Sequence, residues 1–298
     1  MLLKNLESFV QIAKEKPIKK LVVAAAEDDT VLAAVANASH LGIVEPILIG
    51  NSDKIKTIAE ELKINLGNIR IIDEKNPVMS AKKAVQLIRE NEAQILMKGL
   101  VGSADCLRAV LDKETGLRKG DLLSHIGFFE LPAYHKLIAV TDAAQNIAPT
   151  MEEKISIIKN SVDLFHRLGV VNPKVGIAGA VEMINPKMEA TIHAGLLTMM
   201  NKRGQIKGCI IDGPLAFDNI VSKEACEHKG IISEVGGDAD LILTPDIEAG
   251  NILYKCMTYF AGATVAAIIL GASCPIVLTS RADSDRSKMM SIALAASY

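Results

Sequence analysis

The run Pro275-Ile276-Val277-Leu278-Thr279-Ser280-Arg281-Ala282-Asp283-Ser284 closes an apolar, β-branched segment on a hydroxyl, a guanidinium and a carboxylate. A helical run, Ser287-Lys288-Met289-Met290-Ser291-Ile292-Ala293-Leu294, opens behind it. In open α/β sheets, ligands lie beyond the carboxyl ends of the strands, where free backbone N–H groups of the next helix favour phosphate or a developing oxyanion. Arg281 adds a planar, permanently charged fork suited to phosphate. The structural alternative is that Ser280 or Asp283 merely caps the last helix while Arg281 lies on the surface.

Three further segments end in polar clusters. Ile210-Ile211-Asp212-Gly213-Pro214-Leu215-Ala216-Phe217-Asp218 is read as a strand ending in Asp-Gly-Pro. Thr244-Pro245-Asp246 leads through Gly250-Asn251 into a helix that carries Tyr254-Lys255. Met97-Lys98-Gly99-Leu100-Val101-Gly102-Ser103-Ala104-Asp105-Cys106-Leu107-Arg108 reads as a strand, a glycine turn and a helix start. Glycines let a backbone approach a ligand, and short polar side chains can cap or contact it. Singly, each has a plainer explanation: a turn at Asp212 to Pro214, a helix entrance at Gly250-Asn251, and a loop at Gly99 to Ser103 that lacks the Gly-Lys-Ser/Thr ending of a P-loop. Four such clusters on consecutive strand ends point to a shared site.

Alternating elements must position them. Residues 20–26, 46–50, 69–73 and 94–99 are candidate parallel strands, and residues 29–40, 53–62 and 80–90 are helices with capping Asp or Ser near their starts. The pattern resumes with a strand over 136–141, a helix over 151–168, a strand over 174–180, a helix over 187–202, and strands over 208–212 and 240–244. Such alternation implies wound sheets covered on both faces. A boundary is placed near residue 132: residues 1–132 form a first α/β domain, 133–280 a second, and the helix of 281–298 returns to the first. With no low-complexity linker between them, the two are expected to pack directly around a cleft.

The chain has 298 residues, 33 Lys+Arg and 35 Asp+Glu, so its net charge of −2 gives no general case for nucleic acid or an anionic membrane. Cys106, Cys209, Cys226, Cys256 and Cys274 form no C-x-x-C pair, and the first residues lack a signal-peptide core, which suggests a reduced, cytoplasmic protein. Six scattered histidines make zinc improbable and each is read as structural. From Cys256 to Ser280 no residue is charged; Gly262, Gly271 and Pro275 interrupt the run, so it is read as a buried helix followed by a buried strand and not as a membrane span.

The order of these motifs resembles the phosphate acetyltransferase and phosphate butyryltransferase family. The matching pieces are Gly99 to Arg108, Thr141-Asp142 to Asn146 with Pro149-Thr150, Ile211-Asp212-Gly213-Pro214 with Asp218, Pro245-Asp246 with Gly250-Asn251 and Tyr254-Lys255, and Ser280-Arg281. Chain length, together with Leu100 to Asp105 and Thr141 to Pro149, is more like the butyryl branch. The resemblance implies two α/β domains of the isocitrate dehydrogenase-like type with an interdomain active-site cleft. It also implies reversible transfer of an acyl group between coenzyme A and phosphate, with acyl-CoA, phosphate and acyl phosphate as partners and no metal or bound cofactor. A homo-oligomer of at least two copies is the expected assembly.

The resemblance assigns Ser280 to the oxyanion of the tetrahedral intermediate and Arg281 and Arg108 to anionic phosphate, roles that suit their chemistry. Gly99, Ser103, Asp212, Gly213, Pro214, Asp246, Gly250 and Asn251 fill the remaining binding positions. The coenzyme A thiol must lose a proton, and here the chain departs from the acetyl enzymes: the position of their aspartate, seven residues beyond the serine, holds Ser287. Asp283, closer to the strand end than Asp285, is the chosen proton acceptor, with helix capping as its structural alternative. An acyl-cysteine on Cys106 is a covalent alternative to direct transfer in a ternary complex. Phosphate acetyltransferase, an isocitrate-type dehydrogenase and a catalytically silent CoA-binding protein are the rival functions.

Overall fold

The computed structural model describes residues 2–120, 122–280 and 283–298, and the chain divides into two compact units. A terminal unit takes Glu7–Asp121 and Ala266–Tyr298, and a central unit takes Met1–Leu6 and Leu122–Val265.

In the terminal unit, α1 (Glu7–Lys14) leads to β1 (Lys19–Ala24), α2 (Asp29–His40), β2 (Val44–Gly50), α3 (Ser52–Glu61), β3 (Arg70–Asp73), α4 (Pro77–Arg89), β4 (Ile95–Lys98) and α5 (Ser103–Val110). Leu21, Val22 and Val23 are wholly buried, as a parallel strand with helices on both faces requires. Local chemistry sets the helix starts: the Asp28 carboxylate accepts the Val31 N–H at 2.9 Å, and Asn76 caps α4 with Pro77 in its first turn.

The central unit runs β5 (Ser124–Glu130), β6 (Ile138–Thr141), α6 (Met151–Arg167), β7 (Lys174–Ala178), α7 (Glu189–Lys202), β8 (Ile210–Leu215), α8 (Phe217–Val221), α9 (Lys223–His228), β9 (Leu241–Leu243) and α10 (Ile247–Tyr259). Its strands lie in the order β5-β6-β9-β7-β8, with β5 antiparallel to β6 and the others parallel. β9 is thus inserted between β6 and β7, pairing Val140 with Ile242 on one side and Gly176 with Ile242 on the other.

The chain then forms β10 (Thr264–Leu270), β11 (Ile276–Val277) and α11 (Asp285–Ser297). The terminal unit's order is β3-β2-β1-β4-β11-β10, parallel except for the last pair. α11 is buried along nearly all its length, with Lys19 donating to the Ala296 carbonyl at 2.9 Å.

The charge-free stretch from Cys256 to Ser280 is therefore not a buried helix and one strand. It holds the end of α10, where Tyr259 and Phe260 are 69% and 91% exposed, and then two strands reversing through Gly271 at φ +90°. Apolar runs bounded by glycine fit either secondary structure, and pairing decided for strands. Among the described residues no helix is long and apolar enough to cross a membrane.

The amino ends of β6, β7 and β9 are tied by charge. Lys136, only 4% exposed, donates to Asp240 at 2.6 Å and to the Asp238 carbonyl at 2.9 Å; Lys174 and His135 reach the Asp238 carboxylate at 2.7 and 2.8 Å. Burial alone would raise the Asp238 pKa, but the bonds from Lys174, His135 and Lys136 outweigh it and hold the carboxyl well below the usual aspartate range. A depressed folded-state pKa contributes stability that is present above the unfolded value of about 4 and disappears as pH falls through the folded value. The urea midpoint should therefore decline between about pH 5 and pH 2, and Asp238→Asn should flatten that decline while lowering the plateau above it.

Candidate active site

Each parallel sheet brings its strand carboxyl ends to one edge, and the motif residues lie there. In the central unit, β6 ends at Thr141, followed by a cis peptide to Asp142. Asp142 is 2% exposed and its two oxygens accept from four groups: His125 N–H at 3.0 Å and Asn146 Nδ2 at 2.6 Å on one, Ala144 and Gln145 N–H at 2.8 and 2.9 Å on the other. One carboxylate thus folds the whole loop after β6.

β9 delivers Thr244 and Asp246 beside that loop. Thr244 Oγ1 donates within reach of the Asp142 carbonyl, at 3.1 Å, and Asp246 caps α10 by accepting the Ala249 N–H at 2.8 Å. Gly250 and Asn251 lie inside α10, beyond its entrance. A β-carbon on Gly250 would stand 2.3 Å from the Asp142 carbonyl oxygen, so the helix can approach the loop only with glycine there. Asn251 Nδ2 donates to the Ala143 carbonyl at 3.2 Å. Tyr254 packs edge-on against Phe129, with ring centroids 5.1 Å apart.

Asp212-Gly213-Pro214 is not a turn. It lies within β8, where a cis bond joins Gly213 to Pro214 and the register with β7 shifts between Gly176 and Ala178. Asp212 Oδ1 accepts the Gly213 N–H at 3.0 Å, and a β-carbon on Gly213 would meet Ile177 Cβ at 2.8 Å. The irregular strand explains why a motif with turn chemistry continues to Leu215.

In the terminal unit, β11 lies beside β4, pairing Ile276 with Leu96 and Val277 with Met97. The segments Gly99–Ser103 and Leu278–Ser280 therefore leave adjacent strand ends. Gly99 and Leu100 N–H groups donate to Ala24 and Ala25 carbonyls at 2.8 and 2.7 Å, and a β-carbon on Gly99 would sit 2.0 Å from the Ala25 oxygen. Gly99 thus closes the backbone against β1. Ser103 is exposed at the first position of α5, whose N-cap Gly102 offers no side chain. Arg108, in the last turn of α5, is 73% exposed, pairs with Asp105 and faces a groove of about 870 Å3 shared with Lys82, Lys83 and Arg89. Gly99 follows β4 directly and Ser103 opens α5 beyond the same strand end, next to the end of β11, whereas Arg108 lies further along its helix.

Ser280 is exposed after buried Thr279. Its N–H donates to Asp283 Oδ2 at 2.7 Å, and the Asp283 N–H returns to the Ser280 carbonyl at 3.2 Å. Neither residue caps the last helix: Ser284 does, accepting the Ser287 N–H at 3.2 Å. Asp285 is exposed in the first turn and Ser287 is buried. Arg281 lies outside the described residues.

Several charged groups at these edges were given no role by the sequence motifs. Lys98 is 6% exposed and holds the Gly99 and Val101 carbonyls at 2.9 and 3.3 Å; Lys288, 2% exposed, holds the Asp283 carbonyl at 2.5 Å. A lysine closing an apolar strand or entering a buried helix was the available signal. Lys154 on α6 and His193 on α7 meet at 3.0 Å, and no local pattern joins residues so far apart in sequence. Among the described residues no cluster of His, Cys, Asp and Glu could hold a metal ion.

Cys106 does not have the lowered pKa that a nucleophile would need. It is 1% exposed, and burial pushes its thiol up to about 11 despite the opposing charge of Lys98. At pH 8 the folded protein should resist iodoacetamide at Cys106 while exposed Cys256 is modified, as peptide mass mapping would read; rapid labelling of Cys106 would contradict its burial.

Residues 5–82 and 74–296 match the family described as Phosphate acetyl/butaryl transferase. The chain is 46% identical over 295 residues to the phosphate butyryltransferase of Clostridium acetobutylicum, covering 99% of this chain and 98% of that one. It is 44% identical over 293 residues to the phosphate acetyltransferase of Thermotoga maritima, covering 98% and 99%. A solved branched-chain phosphotransacylase from Enterococcus faecalis V583 superposes with a TM-score of 0.82 at 32% identity, covering 93% of this chain and 98% of that one.

Proposed function

The chain belongs to the phosphate acetyltransferase and butyryltransferase family, and from that premise we propose that it moves a short or branched acyl group, butyryl-like in size, reversibly between coenzyme A and phosphate. The observation that carries this reading is 46% identity to a butyryltransferase over nearly the whole of both chains. The acetyltransferase at 44% makes acetyl the second reading. Acyl length is set by pocket packing, where one methylene changes binding by only about 1–3 kcal/mol.

In the direction of acyl-CoA synthesis, the thiolate attacks the acyl phosphate carbonyl carbon within a ternary complex. A C–S bond forms, the C–O bond to phosphate breaks, and phosphate leaves. Ser280 donates to the oxyanion and Arg281 to the phosphate oxygens, with Arg108 contributing charge to an anionic group of the substrate. Asp283 takes the thiol proton on Oδ1, since Oδ2 accepts the Ser280 N–H. Gly99, Ser103, Asp212, Gly213, Pro214, Asp246, Gly250 and Asn251 shape the binding surfaces. The raised pKa of Cys106 supports direct thiol attack over an acyl-cysteine. The enzyme works without a resident metal or cofactor, as a cytoplasmic homo-oligomer of at least two copies; five free cysteines, four of them buried, suit a reducing compartment.

Release of free thiol from butyryl-CoA should require phosphate and be unchanged by EDTA. Equal rates with and without phosphate would make the protein a hydrolase and sink the proposal. A panel of acetyl-, butyryl- and isobutyryl-CoA ranks the acyl groups.

In the direction of acyl-CoA synthesis, Asp283→Asn should lower turnover at neutral pH about tenfold or more, and the deficit should narrow as pH rises toward the pKa of the coenzyme A thiol. Asparagine still offers an oxygen to the Ser280 N–H, so thermal stability should be nearly retained. Unchanged turnover would remove Asp283 from the mechanism.

A further inference from the structure

Lys154 occupies an expensive position. It is the fourth residue of α6, directly behind a capping box in which Thr150 Oγ1 accepts the Glu153 N–H and the Glu153 carboxylate accepts the Thr150 N–H. The start of a helix carries partial positive charge and disfavours a cation. The residue is also only 4% exposed, and removing an ammonium from water is costly unless it is compensated. The other buried lysines are compensated at close range: Lys136 by Asp238 and Asp240, Lys98 by two carbonyls and Lys288 by one.

Lys154 instead donates to a ring nitrogen, His193 Nδ1, at 3.0 Å. An ammonium can only donate, so with Lys154 charged Nδ1 carries no proton and the ring N–H sits on Nε2. His193 is half-buried in the early part of α7, again near a positive helix start. Glu189 and Asp246 act on Lys154 through space, as Glu189 and Glu152 do on His193, yet among the described residues none forms an ion pair with Lys154. Burial is the largest influence on both groups and pushes both pKa values down; the distant carboxylates act the other way, favouring the charged ammonium.

Topology places this pair where a ligand belongs. Because β9 lies between β6 and β7, the helices that follow β6 and β7 bring Lys154 and His193 toward the carboxyl end of β9, where Asp246 begins α10. The chain leaves β7 for β8 on one side, whereas from β9 it goes through α10 to Val265, which packs against Gly127 of β5 on the other. Adjacent strands with diverging connections define the switch-point crevice of a wound sheet.

We propose that Lys154 and His193 bind a phosphate-type anion at this crevice, Lys154 through its remaining ammonium protons and His193 through Nε2–H. The inference rests on the acyltransferase reading for its ligand, which supplies that chemistry from two sources: the phosphate or acyl phosphate, and the phosphates of coenzyme A.

The test uses Lys154→Met, which keeps the length of the chain without its charge, and His193→Ala, at a half-buried position. In phosphate-dependent cleavage of butyryl-CoA, Lys154→Met should raise the phosphate KM tenfold or more and His193→Ala by about threefold or more, with kcat changing less. If instead the coenzyme A KM rises in the reverse reaction and the increase shrinks with dephospho-coenzyme A, the anion is a coenzyme A phosphate. Variants that fold, by circular dichroism and melting temperature, and keep both KM values overturn the proposal. If Lys154→Met fails to fold, His193→Ala decides alone by the same criterion. If the wild-type protein shows no phosphate-dependent activity, the functional reading fails separately. Calorimetric titration with inorganic phosphate and with coenzyme A then decides the site: tenfold weaker binding to the variants supports it, and equal affinities or no binding to the wild type refute it.

Discussion

A parallel strand cannot turn back on itself; its successor must start again from the same edge, and the return crosses the sheet as a helix. Everything about this protein's chemistry depends on that constraint. In each unit it gathers strand carboxyl ends, helix starts and short polar loops along one edge, while the opposite edge is left for cohesion. The central unit makes the division visible. Lys136, Lys174 and His135 tie Asp238 and Asp240 together at the amino ends of β6, β7 and β9, and Asp142 and Asp246 stand just beyond the other ends of β6 and β9.

Much of this architecture was legible because parallel strands covered on both faces are apolar throughout. Leu21-Val22-Val23-Ala24 and Ile95-Leu96-Met97 read as strands without ambiguity of face, and capping residues such as Asp28 mark helix starts within a few positions. β5 escaped because Ser124, His125 and Gly127 dilute its apolar character, although it is almost wholly buried. β10 escaped for the opposite reason: an unbroken apolar stretch has no periodicity from which to choose helix or strand, and only its second strand, β11, was expected.

The site was legible to the degree that its contacts are local. Ser280 and Asp283 join across three residues, so their sequence spacing already implied proximity. The Lys154–His193 contact depends on β9 slipping between two strands formed much earlier in the chain, a choice of strand order that leaves no mark near either residue. Motif chemistry also misled where the backbone was irregular. Asp212-Gly213-Pro214 has turn composition, yet its glycine serves close packing against Ile177 and its proline lies beside Gly179, inside a strand.

Asp142 has a consequence for how the enzyme meets its substrates. A loop that orders only when a ligand arrives loses conformational entropy at that moment, and the affinity is reduced by that loss. Here four donors already converge on one buried carboxylate, and Gly250 lets α10 lean against the same backbone. The loop behind β6 is therefore tied down by its own protein contacts. A molecule reaching this edge meets a surface already shaped by those bonds, and little ordering of the loop is left for the encounter to supply.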